Sequence, residues 1–228
     1  NEYVGPSNLE KLTIYKLFDL KNDINKNLKI NYTYLNKTLH KIVDNFPIFH
    51  SSNLKSLLKL DTKKNNFTFT DKKVVLNEPL IIPNGYDLYI DPGTQIKFSE
   101  DSYILLMGGK VEFNGSKKEP IIFSNLKENL FWKGIYVIQN DNDVSTLTNV
   151  NFQNLDFHKS KFNLTGGINF YKGEINLENI NIFNCISEDC INFIESKVYL
   201  ENISISKSIS DAIDFDFSEG KINNLNLN

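Results

Sequence analysis

The chain has 228 residues, 40% of them hydrophobic, and a formal net charge of −3 at pH 7, a length for one long domain or one and a half ordinary ones and enough apolar material for a continuous core. The slight acidity argues against a nucleic-acid binder, which needs a basic stripe facing phosphates, and no run approaches the ~20 apolar residues of a membrane span. All 25 basic residues are lysine, so no guanidinium fork exists to clamp a carboxylate or phosphate. An anion site must then use Lys, backbone amides or a metal.

The chain opens at Asn1 with neither Met nor an evident signal peptide, and is expected to be a mature or trimmed product. Ser7-Asn8-Leu9-Glu10 is a capping-box pattern, followed at helical spacing by Leu9, Leu12, Tyr15, Leu17 and Phe18. A second apolar stripe, Leu35, Leu39, Ile42, Val43 and Phe46, stops at Pro47, and Leu54, Leu57, Leu58 and Leu60 suggest a third short helix. Lys63-Lys64-Asn65-Asn66 then makes a polar break. Residues 1–62 are therefore expected to form a small α-helical N-terminal cap.

From Phe67 the apolar period switches to two. Phe67/Phe69, Val74/Leu76, Leu80/Ile82, Leu88/Ile90, Ile96/Phe98, Val111/Phe113 and Ile135/Val137 alternate with polar residues, punctuated by Pro83-Asn84-Gly85, Asp91-Pro92-Gly93 and Gly108-Gly109. Further on, Gly167-Ile168-Asn169-Phe170, Cys190-Ile191-Asn192-Phe193 and Ala212-Ile213-Asp214-Phe215 align at intervals of 23 and then 22 residues. Asn149, Asn179, Asn202 and Asn224 share another repeat position, and suit an internal ladder of side-chain amides at a turn. A unit this short cannot bury its own apolar face and must stack on its neighbours, whereas a sandwich or barrel does not require such in-register similarity. The expected fold is an all-β solenoid, a right-handed parallel β-helix over residues 67–228.

Ile90-Asp91-Pro92-Gly93-Thr94-Gln95-Ile96-Lys97-Phe98, Gly109-Lys110-Val111-Glu112-Phe113-Asn114-Gly115, Glu119-Pro120-Ile121-Ile122-Phe123 and Trp132-Lys133-Gly134-Ile135 together resemble the opening coils of right-handed parallel β-helix repeat proteins of the bacterial cell surface. The resemblance implies a pectate-lyase-like superfold, an extracellular or cell-envelope location and, often, carbohydrate as ligand or substrate. It does not fix an activity, because lyases, hydrolases, epimerases and structural adhesins share that superfold.

Alternation points Ile168/Phe170, Ile191/Phe193 and Ile213/Phe215 inward and Asn169/Tyr171, Asn192/Ile194 and Asp214/Asp216 outward, with Tyr136 and Ile138 one coil earlier. Tyr136, Asn169, Tyr171, Asn192, Asp214 and Asp216 are thus the candidate ligand-binding residues of one sheet face; an ordinary solvated face is the alternative. Asp189 and Asp211 stack at the preceding turn and are the candidate metal ligands. Paired carboxylates raise one another's pKa or share a hard cation such as calcium, although Asp and Ser also form turns by bonding their own backbone. Glu188-Asp189-Cys190-Ile191 faintly resembles the acidic stretch of polygalacturonase-type hydrolases. No other cofactor is required by the sequence.

Cys190 shares its repeat position with Ala212 and Cys185 with Ser208, so both are expected to serve as small residues at a turn rather than as a disulfide. His158 sits in the longest insertion, Leu155 to Thr165, where a rigid scaffold often carries function. Trp132 is expected near Gly134 at a corner. Ile222 to Leu227 is still in phase with the repeat, and the open coil is expected to meet further chain or another subunit. The functional expectation is a module that displays a surface to polysaccharide, cell-surface glycan or a protein partner. The competing class is a polysaccharide lyase, glycoside hydrolase or epimerase, although the basic arginine common in such lyases is missing.

Overall fold

The computed structural model describes residues 56–157 and 164–228. The expected helices before Ser56 and His158 in the insertion lie outside the described residues. The regular structure described is almost all strand, arranged in two sheets dominated by parallel pairing.

Three short strands recur in each early pass of the chain. After β1 (Leu58–Asp61) come β2 (Asn66–Phe69), β3 (Lys73–Leu76) and β4 (Leu80–Ile82); then β5 (Asp87–Ile90), β6 (Gln95–Phe98) and β7 (Ile104–Met107); then β8 (Val111–Asn114), β9 (Ile121–Asn125) and β10 (Ile135–Ile138). The later passes merge the first two strands into one. These are β11 (Val144–Leu155) with β12 (Gly166–Tyr171), β13 (Glu174–Cys185) with β14 (Asp189–Ile194), β15 (Lys197–Ser208) with β16 (Asp211–Asp216), and finally β17 (Glu219–Leu227). Each strand pairs in parallel with its counterpart one pass later, so one pass is one rung. The smaller sheet runs β16-β14-β12-β10-β7-β4, and the larger holds the remaining eleven strands.

The merger at β11 explains the asparagine ladder. β11 pairs with β8 up to Thr148 and with β9 from Val150, so Asn149 is the bend between two straight halves. Asn149, Asn179, Asn202 and Asn224 all have φ between 50° and 57°, a left-handed conformation that asparagine tolerates better than most residues. Asn202 donates its amide to Asn179 Oδ1 at 3.1 Å and Asn224 donates to Asn202 Oδ1 at 3.0 Å. The ladder is not internal as expected, since Asn179 is half-buried and the later two are exposed, and Asn149, half-buried at the same bend, donates instead to Gly115 O at 3.2 Å. A second ladder, Asn184 to Asn154 to Asn125, stands at the far end of the same strands.

The core is the set of in-register columns. Ile168, Phe170, Ile191 and Phe193 are each at most 1% exposed, and the rings of Phe170, Phe193 and Phe215 stack at 5.6 and 5.3 Å. Trp132 is fully buried, stacks 3.9 Å from Phe98 and donates its indole N–H to Gln153 O at 2.9 Å. Two residues on, Gly134 has φ 77°, and a Cβ there would meet Gly167 O at 2.0 Å. The corner needs glycine for both reasons.

Two expectations change here. Leu58 and Leu60 belong to β1 rather than to a third helix, because β1 pairs antiparallel with β2 (Leu58↔Phe69 to Asp61↔Asn66) and buries Leu58; ladder pairing overrides a helical spacing of leucines. The polar break is the turn of that hairpin, with the Lys63 and Lys64 N–H groups donating to Asp61 Oδ1. In addition, Cys185 and Cys190 are disulfide-bonded, with Cα atoms 5.9 Å apart. Repeat alignment marked these positions as small. It could not show that consecutive strands bring them face to face across Ser187.

Candidate functional site

The outer face of the smaller sheet collects every candidate residue. Tyr136 on β10, Asn169 on β12, Asn192 on β14 and Asp214 on β16 pair in strict register, and so do Ile138, Tyr171, Ile194 and Asp216 two residues along the same strands. Asp189 and Asp211 also pair across adjacent rungs. The repeat placed these columns correctly.

Exposure departs from the expected outward platform. Tyr136 and Asn169 are fully buried, Asn192 is 4% exposed and Asp189 4% exposed, as are the apolar Leu105 and Met107 on β7 (3% and 4%). Local bonding accounts for part of this. Asn169 folds back on its own strand, accepting from Gly166 N–H at 3.0 Å and donating to Gly166 O at 2.6 Å and Ile135 O at 3.3 Å. A side chain at Gly166 would fall 2.7 Å from Asn169 Oδ1 and forbid the loop. Tyr136 packs edge-on to Tyr103 at 6.0 Å. Tyr171, Ile194 and Asp214 are half-buried and Asp211 and Asp216 exposed, so the accessible part of the face is its carboxylate end.

That end is acidic and partly desolvated. Asp189 accepts from Thr165 Oγ1 at 2.8 Å and Asn192 Nδ2 at 3.3 Å. Burial nevertheless raises its pKa above the ordinary 3.8, and Asp214 and Asp211 push it further in the same direction. Burial likewise raises Asp216, helped by Asp214 and Asp189. Asn192 Oδ1 is buried and accepts no hydrogen bond among the described residues. Lys172 borders the face with its side chain 7% exposed, 3.3 Å from Asp141 and 3.9 Å from Glu195, and its ammonium stands 5.6 Å from the centroid of the Tyr171 ring. Among the described residues no group of three or more His, Cys, Asp or Glu is arranged to hold a metal ion.

Sequence reasoning missed Thr165, whose hydroxyl fixes Asp189 from the end of the insertion, and Lys172, a turn residue with φ 69°. Thr165 lies one residue before the Gly166↔Asp189 register pair, a placement readable only once the rungs are aligned. No helix among the described residues is long and apolar enough to cross a membrane.

No family model, no curated protein and no solved structure matches this chain.

Proposed function

We propose that the chain is a right-handed parallel β-helix module of an extracellular or cell-envelope protein, and that the carboxylate end of its smaller sheet binds glycan. The observation that carries this reading is the accessible column Tyr171–Ile194–Asp216 beside Asp214, held in register by three consecutive strands. It sets an aromatic ring about 10 Å from a carboxylate along the stacking direction, two rungs at ~4.8 Å each. The spacing suits a sugar ring laid on tyrosine with its hydroxyls bonding to aspartate. The buried Asn169, Asn192 and Tyr136 do not touch ligand in this reading; they hold the strand ends in place. The Cys185–Cys190 disulfide supports an oxidising compartment.

The charge selects the ligand class. Four carboxylates and no arginine disfavour a bare polyanion and favour a neutral or cationic glycan, or an acidic one bridged by calcium at Asp189 and Asp211. The test is Asp214→Asn with Asp216→Asn, read on a glycan array and by thermal melting with and without calcium. Loss of array binding, with the fold retained, is the expected result. A double variant that binds and melts like the parent sinks the site.

The raised pKa values of Asp189 and Asp216 favour one competing reading, acid–base catalysis on a polysaccharide, since a carboxyl held protonated nearer neutrality is a serviceable general acid. Incubation with a panel of acidic and neutral polysaccharides, followed by unsaturated-product absorbance and reducing ends, decides it. Turnover of any member promotes the enzyme reading.

A further inference from the structure

Of the many asparagines in the chain, only Asn84 and Asn114 are followed by glycine. The pairing matters chemically, because glycine has no side chain to screen its backbone nitrogen from the Cγ of the preceding asparagine. The ladder asparagines are screened: Val150, Ile180 and Ile203, each branched at Cβ, follow Asn149, Asn179 and Asn202.

The fold treats the two Asn-Gly pairs differently. Asn114 closes β8 in register with Thr148, and Gly115 is wedged against the neighbouring strand, where a Cβ would fall 2.3 Å from Asn149 O and 2.8 Å from Thr148 O. Gly115 O also accepts the Asn149 amide at 3.2 Å. Asn84 lies outside the strands, in the turn from β4 to β5, where Tyr86 N–H donates to Pro83 O at 3.3 Å. Asn84 and Gly85 are both exposed, Gly85 has φ 83°, and a Cβ on it would meet nothing within 4 Å. The Gly85 N–H reaches Gly108 O at 3.4 Å, beyond the usual range of an N–H···O bond. The Gly85 nitrogen is thus loosely held and has room to move, whereas Gly115 sits in a packed sheet.

We propose that Asn84 is a site of spontaneous deamidation and isoaspartate formation, and that the fold protects Asn114 from the same reaction. Gly85 N gives its proton to hydroxide and attacks Asn84 Cγ; the bond from Cγ to Nδ2 breaks, and ammonia leaves after taking a proton from water. The cyclic imide then adds one water. Cleavage between the nitrogen and Cγ gives aspartate, and cleavage between the nitrogen and the main-chain carbonyl gives isoaspartate, whose backbone runs through Cγ. Either product adds one negative charge, taking the net charge of −3 to −4. The new carboxylate forms against the turn of the next rung, because Asn84 Oδ1 already lies 2.0 Å from where a Cβ of Gly108 would be. β4 and β5 belong to different sheets, so the lengthened backbone of isoaspartate falls at a corner and not within a ladder. The reaction is independent of the glycan face.

The test ages the full chain in mildly alkaline buffer, once folded and once in urea, and maps both sites by mass spectrometry of proteolytic peptides. Isoaspartate is counted separately with an isoaspartyl carboxyl methyltransferase and labelled S-adenosylmethionine. In the folded chain, Asn84 should convert about tenfold faster than Asn114 or more, reflecting the cost of opening hydrogen bonds at a strand end. In urea the two sites should convert at similar rates, which assigns the difference to the fold. Asn84→Gln, at an exposed turn position, should abolish the charge shift on ion exchange and the methyl acceptance of the folded chain. Equal conversion of Asn84 and Asn114 in the folded chain, or conversion of neither while the unfolded chain converts both, overturns the proposal. So does a preference for Asn84 that persists unchanged in urea, or a charge shift that survives Asn84→Gln.

Discussion

Asp189 and Asp216 are carboxyls that the folded state prefers protonated. Burial and the neighbouring Asp214 raise both above 3.8, so between 3.8 and the raised values the folded chain binds more protons than the unfolded one. Stability then falls as pH rises through that window, and the penalty is fully present above it. Asp87, raised chiefly by its burial, adds to the same slope. Urea midpoints taken from about pH 4 to about pH 7 should show this fall, and Asp189→Asn with Asp216→Asn should flatten it. A slope unchanged by both substitutions would mean that these carboxyls are solvated like any other. The bend residues make a second test at this scale. Asn202→Gly keeps the left-handed backbone and removes only the ladder bonds, costing about 1 kcal/mol. Asn202→Val adds a β-branched side chain at φ 56°, costing about 1–3 kcal/mol more. Chemical denaturation of the pair separates backbone strain from hydrogen bonding.

At the scale of elements, the columns predict where truncation hurts. Phe193 is fully buried between Phe170 and Phe215, and Phe193→Ala should cost about 3–5 kcal/mol. Phe215→Ala, in the same column but 39% exposed, should cost less than half of that. Equal losses would show that Phe215 is covered as fully as Phe193. These columns were legible because the repeat itself carries the register: Ile168, Ile191 and Ile213 match in sequence because they match in space. The ladder of Asn179, Asn202 and Asn224 was legible for the same reason. The second ladder escaped notice because it stops before the region of clearest repeat: Lys207, φ 58°, takes the next left-handed position with no amide to offer. The disulfide escaped because Ala212 and Ser208 explain the cysteine positions by size alone. Which residues share the site face could be read from alternation. How much of that face meets solvent could not, since period two gives a side chain's direction and says nothing of what lies over it, as Tyr136 and Asn192 show.

For the molecule as a whole, rung stacking is what makes the other arguments possible. The proposed glycan face needs Tyr171 and Asp216 two rungs apart on one sheet, which the register of β12, β14 and β16 supplies. Stability in such an array is close to a sum over rungs and their interfaces. The most direct measurement is dipolar broadening between paired spin labels on the exposed side of the larger sheet, with the buried disulfide left intact. Asn181 and Ser204 are register partners, and Ser204 pairs in turn with Asn226. The stacked arrangement predicts strong broadening for labels at 181 and 204, one rung or ~4.8 Å apart in backbone, and clearly weaker broadening for 181 and 226, two rungs apart. Equal broadening for the two pairs, or none between 181 and 204, would contradict the rung register on which the account rests.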